Sequence, residues 1–205
     1  MIPEHWKQAT QELAMRDEVM HKLILCFKGA ALRSHGDAFT TLARSIVGQQ
    51  ISVKAAESIW KKVVATVSEI TPHTVQEIGK DELRNCGLSQ RKVVYLQDLS
   101  LHFIRKSLNE ARWQEMDDEA LILELTRVKG IGRWTAEMFL IFHMLRPDIL
   151  PMKDLGLKRA LSIHYNANQP VSEFKIRTIS EIWKPWRSVA TWYLWRSLDP
   201  LPVEY

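Results

Sequence analysis

Apolar residues recur at helical spacing along nearly the whole chain, and stretches that alternate with period two are brief. Phe39, Leu42, Ala43 and Ile46 share one side of a helix predicted over Asp37–Val47. Gly48-Gln49-Gln50-Ile51 interrupts it, and Ser52 then caps a second helix over Val53–Ser68 with Ala56, Ile59, Trp60 and Val63 inward. Upstream, His5–Ala14 and Glu18–Leu25 read as short helices, and Phe27–His35 as a loop or one further short helix. Thr71 and Pro72 open another, since proline suits a first helical turn. Lys80–Asn85 closes at Cys86-Gly87-Leu88, and Ser89 caps Gln90–Ser107, with Val93, Val94, Leu96, Leu99 and Phe103 in one stripe. Asp117 caps Asp118–Arg127; Gly130-Ile131-Gly132 separates that helix from Arg133–Leu145, which Arg146-Pro147 ends. Leu155–Ile163, Ser172–Trp183 and Trp186–Leu198 follow, and the tail Asp199–Tyr205 reads as a surface strap. The pattern predicts an all-α protein.

Composition narrows the class. The 205 residues suffice for one domain or two small lobes. A 46% apolar and 25% charged chain is ordinary for a globular protein, and a formal net charge of +4 suits a polyanionic partner without requiring one. Two cysteines, far apart, make a disulfide framework improbable and exclude a four-cysteine iron–sulfur cluster within the chain. No apolar run is long enough to span a bilayer, and Met1–Lys7 lacks a leader's hydrophobic region, so a cytosolic monomer is expected. Five of the eight tryptophans, Trp134, Trp183, Trp186, Trp192 and Trp195, fall at or after residue 134, where they suit either a core or a wall that stacks on planar ligands.

The segment Leu125-Thr-Arg-Val128-Lys129-Gly130-Ile131-Gly132-Arg133-Trp134-Thr135-Ala136 carries the most chemistry. Gly130 and Gly132 permit positive φ, and their amides, together with the start of the helix at Arg133, make an anion site for a nucleic-acid phosphate. Ile131 would anchor the turn. A plain αα connection accounts for a Gly-X-Gly by itself. A mononucleotide loop does not fit, because no strand precedes the segment and no Lys-Ser/Thr ends it. Gly87-Leu88-Ser89 offers a second set of amides near a helix start. Asp154 stands where the helix from Leu155 begins, a position at which aspartate commonly caps.

The hairpin resembles the helix-hairpin-helix motif of the DNA glycosylase superfamily, and its Gly-Arg-Trp-Thr-Ala continuation resembles the DNA-3-methyladenine glycosylase II family. The resemblance continues through Ile46-Val-Gly-Gln-Gln-Ile-Ser-Val-Lys-Ala55, Leu83-Arg-Asn-Cys-Gly-Leu-Ser-Gln-Arg-Lys92, Pro151-Met-Lys-Asp-Leu-Gly-Leu-Lys-Arg-Ala160 and Trp183-Lys-Pro-Trp-Arg-Ser-Val-Ala190. It implies a two-lobed helical fold. One lobe would combine residues 1–38 with 148–205, and the other would span 39–147. The N-terminal α/β domain of longer members would have no place ahead of Phe39. It implies double-stranded DNA with a damaged base as partner, no required cofactor, and a monovalent or divalent cation held by hairpin carbonyls at Val128 and Ile131.

The same resemblance assigns roles. Asp154 takes the catalytic carboxylate position; Trp134, Met138 and Trp195 take base-pocket positions. Met138 stands where a close member has tyrosine. Gln49 and Gln50 lie in the loop that fills the gap left by a flipped base, Gln50 at the wedge position, although a polar loop also accounts for both. Val128, Lys129, Gly130, Ile131, Gly132, Arg133 and Thr135 would bind the DNA backbone, with Gly87 and Ser89 as a further contact. Glycosidic cleavage builds positive charge on the sugar, which a fixed carboxylate stabilises while orienting water. A cationic alkylpurine leaves without much acid assistance, so Glu137 and Glu181 are second-acid candidates of lesser need. Bifunctional members carry a lysine where this chain has Trp134, so water is the expected nucleophile. The expected activity is monofunctional excision of alkylated purines. The rivals are a non-catalytic helix-hairpin-helix binder and a glycosylase with lyase activity on another base.

Overall fold

The computed structural model describes residues 2–34, 36–67 and 69–199, and the proposed strap lies outside them from residue 200 onward. Thirteen helices occur among the described residues, with no strand: α1 (Trp6–Arg16), α2 (Glu18–Cys26), α3 (Ala38–Gly48), α4 (Val53–Val67), α5 (Pro72–Glu77), α6 (Lys80–Asn85), α7 (Gln90–Ile104), α8 (Glu110–Trp113), α9 (Asp118–Leu125), α10 (Arg133–Phe142), α11 (Leu155–Tyr165), α12 (Glu173–Glu181) and α13 (Arg187–Leu198). No helix among them is long and apolar enough to cross a membrane. The described residues form two compact units, one from 36–139 and one from 2–34 with 140–199.

In the 36–139 unit, α7 is the central element, packed by α3, α5 and α6, while α4 packs on α3. Leu42, Ile46, Leu83, Leu96, Leu99, Leu121 and Leu125 are fully buried. A run of edge-on aromatic contacts links Phe39 to Phe103, Phe103 to Trp113 and Trp113 to Phe139, with ring centroids 5.3, 6.2 and 5.5 Å apart. Trp113 belongs to α8, a four-residue helix too short for periodicity to reveal; its indole N–H donates to Glu124 at 2.8 Å.

In the other unit, α13 packs against α1, α2 and α11. Asp17 is buried at the α1–α2 junction. Its Oδ1 accepts the Val19 and Met20 N–H groups at 2.8 and 3.1 Å, and its Oδ2 accepts the Tyr165 hydroxyl at 2.7 Å and the Trp183 indole at 2.8 Å. One carboxylate thus caps α2 and joins it to α11 and the α12–α13 connection. Burial and that contact with Asp17 raise the Tyr165 pKa.

The caps read from sequence form: Ser52, Ser89, Asp117 and Asp154 each accept an N–H from the first turn of their helix, and Asp37 and Ser172, read as the first residues of their helices, cap them in the same way. Two helix ends fall three residues earlier than expected, α7 at Ile104 instead of Ser107 and α10 at Phe142 instead of Leu145. After α7, Lys106 takes φ +55°, with Lys106 and Ser107 N–H returning to Phe103 and His102 carbonyls. After α10, Leu145 takes φ +56° and Arg146 N–H returns to Leu140. Neither stop uses glycine, so neither leaves the usual mark in the sequence. Of the two readings of the segment after α2, the loop is the one that forms, residues 27–34 being irregular.

Candidate functional site

The hairpin between α9 and α10 is a tight turn in which Val128 N–H donates to Leu125 and Ile131 N–H donates to Val128, both at 3.1 Å. Val128 and Ile131 bury their side chains, and this anchors the turn. Gly130 takes φ +85°, and a Cβ there would clash with the Tyr95 ring, so only glycine fits. Gly132 differs from the expectation: its φ is not positive, and an added Cβ would meet open space. The first intrahelical bond of α10 runs from Ala136 N–H to Gly132 at 3.0 Å, so the amides ahead of Ala136 have no acceptor within the helix.

Not every expected backbone donor is available. Lys129 N–H donates to Asp98 Oδ2 at 2.9 Å, and the Lys129 ammonium lies 3.2 Å from Asp98 Oδ1. Asp98, on α7, therefore grips the turn from behind; nothing in its sequence surroundings marks it. Gly87 has φ +102°, and its N–H closes α6 on the Arg84 carbonyl at 2.8 Å. The Ser89 hydroxyl accepts the Lys92 N–H as the α7 cap. Arg133 is held by two carboxylates: Nη1 and Nη2 on Glu119, and Nε on the buried Glu137 at 3.0 Å. Thr135 is buried at the first turn of α10, Met138 is buried one turn further, and Trp134, immediately before Thr135, is 40% exposed.

The loop after α3 meets this hairpin within the same unit. Gln49 Nε2 donates to the Gly130 carbonyl at 2.8 Å. Gln50 is exposed and takes φ +59°. Lys92 reaches the end of α3 and donates through Nζ to the Val47 carbonyl at 2.7 Å; burial lowers its pKa.

Asp154 belongs to the other unit and ends a loop that is clamped at its start. The Arg187 guanidinium pairs with both Asp148 oxygens, at 2.7 and 2.9 Å, and also donates to the Asp148 carbonyl at 3.0 Å. Ser188 accepts the Ile149 N–H at 2.8 Å, and its own N–H donates to the Pro147 carbonyl at 3.0 Å. The Arg187-Ser188 pair of the Trp-Lys-Pro-Trp-Arg-Ser segment therefore fixes the chain that delivers Asp154. Asp154 is buried to 9% exposure. Its Oδ1 accepts the Leu157 N–H at 2.6 Å and the Trp195 indole N–H at 2.8 Å. Trp195 in turn stacks on Phe142, with centroids 5.6 Å and planes 11° apart. Gly156 lies against this pair: a Cβ there would be 3.1 Å from both Asp154 Oδ1 and Trp195 Cδ1.

The structure thus brings Asp154 to Trp195 and Gln49 to the hairpin. Both second-acid candidates are ion-paired, Glu137 with Arg133 and Glu181 with Lys184 at 2.9 Å. Among the other tryptophans, Trp183, Trp186 and Trp192 are core residues, with Trp186 donating to Glu12 at 2.8 Å. Asp98, Phe142 and the Asp148 clamp are contributors that only the fold reveals. A carboxylate locked by a helix amide and an indole can steady positive charge and orient water, and a tight turn that leads into a helix start can hold a phosphate without reading bases.

An all-helical chain with such a hairpin and such an aspartate falls in the class of helix-hairpin-helix DNA repair proteins. Residues 43–187 match the model of the HhH-GPD superfamily base excision DNA repair proteins. DNA-3-methyladenine glycosylase 1 of Schizosaccharomyces pombe is 31% identical over 200 residues, covering 96% of this chain and 83% of that protein. The solved Schizosaccharomyces pombe 3-methyladenine DNA glycosylase in complex with abasic DNA superposes with TM-score 0.80 at 28% identity, covering 96% of this chain and 100% of that one. A DNA-3-methyladenine glycosidase from Bacillus halodurans gives TM-score 0.85 at 29% identity, over 93% and 89% of the two chains. The chain belongs to the HhH-GPD superfamily, within its DNA-3-methyladenine glycosylase family.

Proposed function

We propose that the chain is a monofunctional DNA glycosylase that hydrolyses the N-glycosidic bond of alkylated purines in duplex DNA and leaves an abasic site. The observation that carries this is Asp154, whose Oδ1 is held by the α11 amide of Leu157 and the Trp195 indole. The fixed carboxylate steadies the sugar cation as the bond lengthens and directs water to it. A methylated purine is cationic and departs without a strong acid, which agrees with Glu137 and Glu181 being engaged by Arg133 and Lys184. Trp134, Met138 and Trp195 are assigned to the base by resemblance. Exposed indole faces favour a cationic base over a neutral one.

The amides of Gly130 and of the start of α10 hold the DNA backbone, and duplex product is the natural ligand by analogy with the relative solved on abasic DNA. A hard cation would sit on the carbonyls of Val128 and Ile131. The Val128 carbonyl keeps a second lone pair beside the one given to Ile131, and backbone oxygens suit alkali and alkaline-earth ions. The reading includes a monomer acting on the chromosome in the bacterial cytosol.

A panel of duplexes bearing single 3-methyladenine, 7-methylguanine, 1-methyladenine, hypoxanthine or ethenoadenine lesions tests it. Strand breaks should appear only after alkali, and Asp154→Asn should abolish them while retaining duplex binding. Breaks without alkali, or a covalent adduct trapped by borohydride, would replace this reading with the lyase one.

A further inference from the structure

We infer that Gln49 is a positioning residue that couples the DNA-inserting loop to the phosphate-binding hairpin, leaving Gln50 as the residue that inserts. The inference rests on the proposed action on DNA and assigns separate tasks to two adjacent, chemically identical side chains. Gln49 commits its amide donor to the Gly130 carbonyl at 2.8 Å. Gln50, one residue on, is exposed and lies in the left-handed region at φ +59°. That backbone reversal turns Gln50 away from the course of the preceding helix.

The bond has a fixed partner. The Gly130 turn is backed by the Tyr95 ring on one side, and its neighbour Lys129 is held by Asp98 through backbone and side chain. The loop end is braced as well, because Lys92 Nζ donates to Val47 at 2.7 Å. Gln49 is thus the tie between a supported helix end and a supported turn. A phosphate seated on the hairpin fixes the turn, and the amide passes that constraint to the loop presenting Gln50. Removing the tie leaves the hairpin able to hold any duplex but lets the insertion loop wander.

The test uses the full chain and a duplex carrying a tetrahydrofuran abasic analogue beside 2-aminopurine, whose fluorescence rises when it is unstacked. Gln49→Met keeps length and removes the donor. Its fluorescence rise should fall about threefold to tenfold, the range a single neutral hydrogen bond supports. Affinity for an undamaged duplex should stay within about twofold by the same reasoning, because sequence-independent backbone contacts dominate it. Gln49→Glu adds a signature that general loosening would not produce. The ionised carboxylate has no proton to donate to Gly130, whereas the protonated acid does. Its deficit relative to the parent should therefore shrink as pH falls toward the glutamate range, while that of Gln49→Met stays flat. Gln50→Ala should lose insertion at every pH. Parent-like insertion in Gln49→Met, a pH-independent deficit in Gln49→Glu, or a loss of undamaged-duplex affinity in step with insertion would each overturn the inference. Insertion is read without base release, so a chain that inserts Gln50 yet excises nothing would refute the proposed enzyme and not the role of Gln49.

Discussion

Trp195 donates its indole N–H to the same oxygen of Asp154 that caps α11, so one carboxylate atom is both the start of a helix and the end of a tryptophan's reach. A charge-assisted bond of this kind contributes about 1.5–3 kcal/mol. Trp195→Phe retains a ring to stack on Phe142 and deletes only the donor. Single-turnover excision should fall by about tenfold or more, with little change in binding to an abasic duplex. An unchanged rate would mean that capping by Leu157 alone orients Asp154.

Gly156 separates activity from stability. Alanine at this second helical position removes glycine's intrinsic penalty of about 0.5–1 kcal/mol, but its methyl would press on Asp154 Oδ1 and Trp195 at 3.1 Å. The two effects on stability oppose each other, so Tm should move by only a few degrees (about 1 kcal/mol or less). Excision should drop several-fold or more, because the crowding falls on the carboxylate itself. A parent-like rate at a parent-like Tm would show that the contact relaxes without cost to chemistry.

The two hairpin glycines should behave differently. Gly130→Ala combines a left-handed φ, a backbone penalty alone of about 1–2 kcal/mol, with a methyl that clashes with the Tyr95 ring. It should lower both Tm and DNA affinity. Gly132→Ala meets open space and an ordinary φ. Its melting curve should match the parent while affinity for any duplex falls, because the methyl occupies the approach to the α10 amides. Thermal melts and anisotropy titrations on undamaged duplex check both; equal Tm losses would contradict this division.

Much of this was legible in the sequence. Helical spacing and Ser, Thr and Asp caps give the helix starts, since both are local properties. The hairpin and Asp154 are legible as motifs, although Asp154 alone reads first as a cap, and it is one. Helix ends that turn on Lys106 and Leu145 were illegible, because tertiary packing there imposes a conformation usually left to glycine. Asp98 was illegible for a related reason: it lies 31 residues from the Lys129 amide it accepts, and an exposed-looking acid on a helix carries no trace of such a partner. The glutamine pair was visible, but the division of labour within it needs the Gly130 carbonyl.

Arg133 enters the resting protein already paired with Glu119 and Glu137. The hydrogen bond from Arg133 lowers the Glu119 pKa. With its folded pKa depressed, the contribution of Glu119 to stability is complete above the ordinary glutamate range and is lost as pH falls through the lower folded value. The pair is therefore intact at neutral pH and would compete with any phosphate brought to Arg133. Glu119→Gln should raise affinity for any duplex by about twofold to fivefold, in the range of an exposed ion pair, and the gain should be constant from about pH 6 to 8, above the glutamate range. Salt-dependent anisotropy checks it; unchanged affinity would place Arg133 outside the DNA contact.

The clamp of Arg187 on Asp148 has a consequence for how such an enzyme can diversify. With Asp148 and Ile149 pinned to the start of α13, and Asp154 pinned to the start of α11, the intervening run is a span of set length between two fixed posts. Inserting or deleting a residue there would swing the carboxylate off its mark. New specificities can therefore be gained by exchanging the side chains mounted around Asp154, while the spacing from Asp148 to Asp154 is closed to variation.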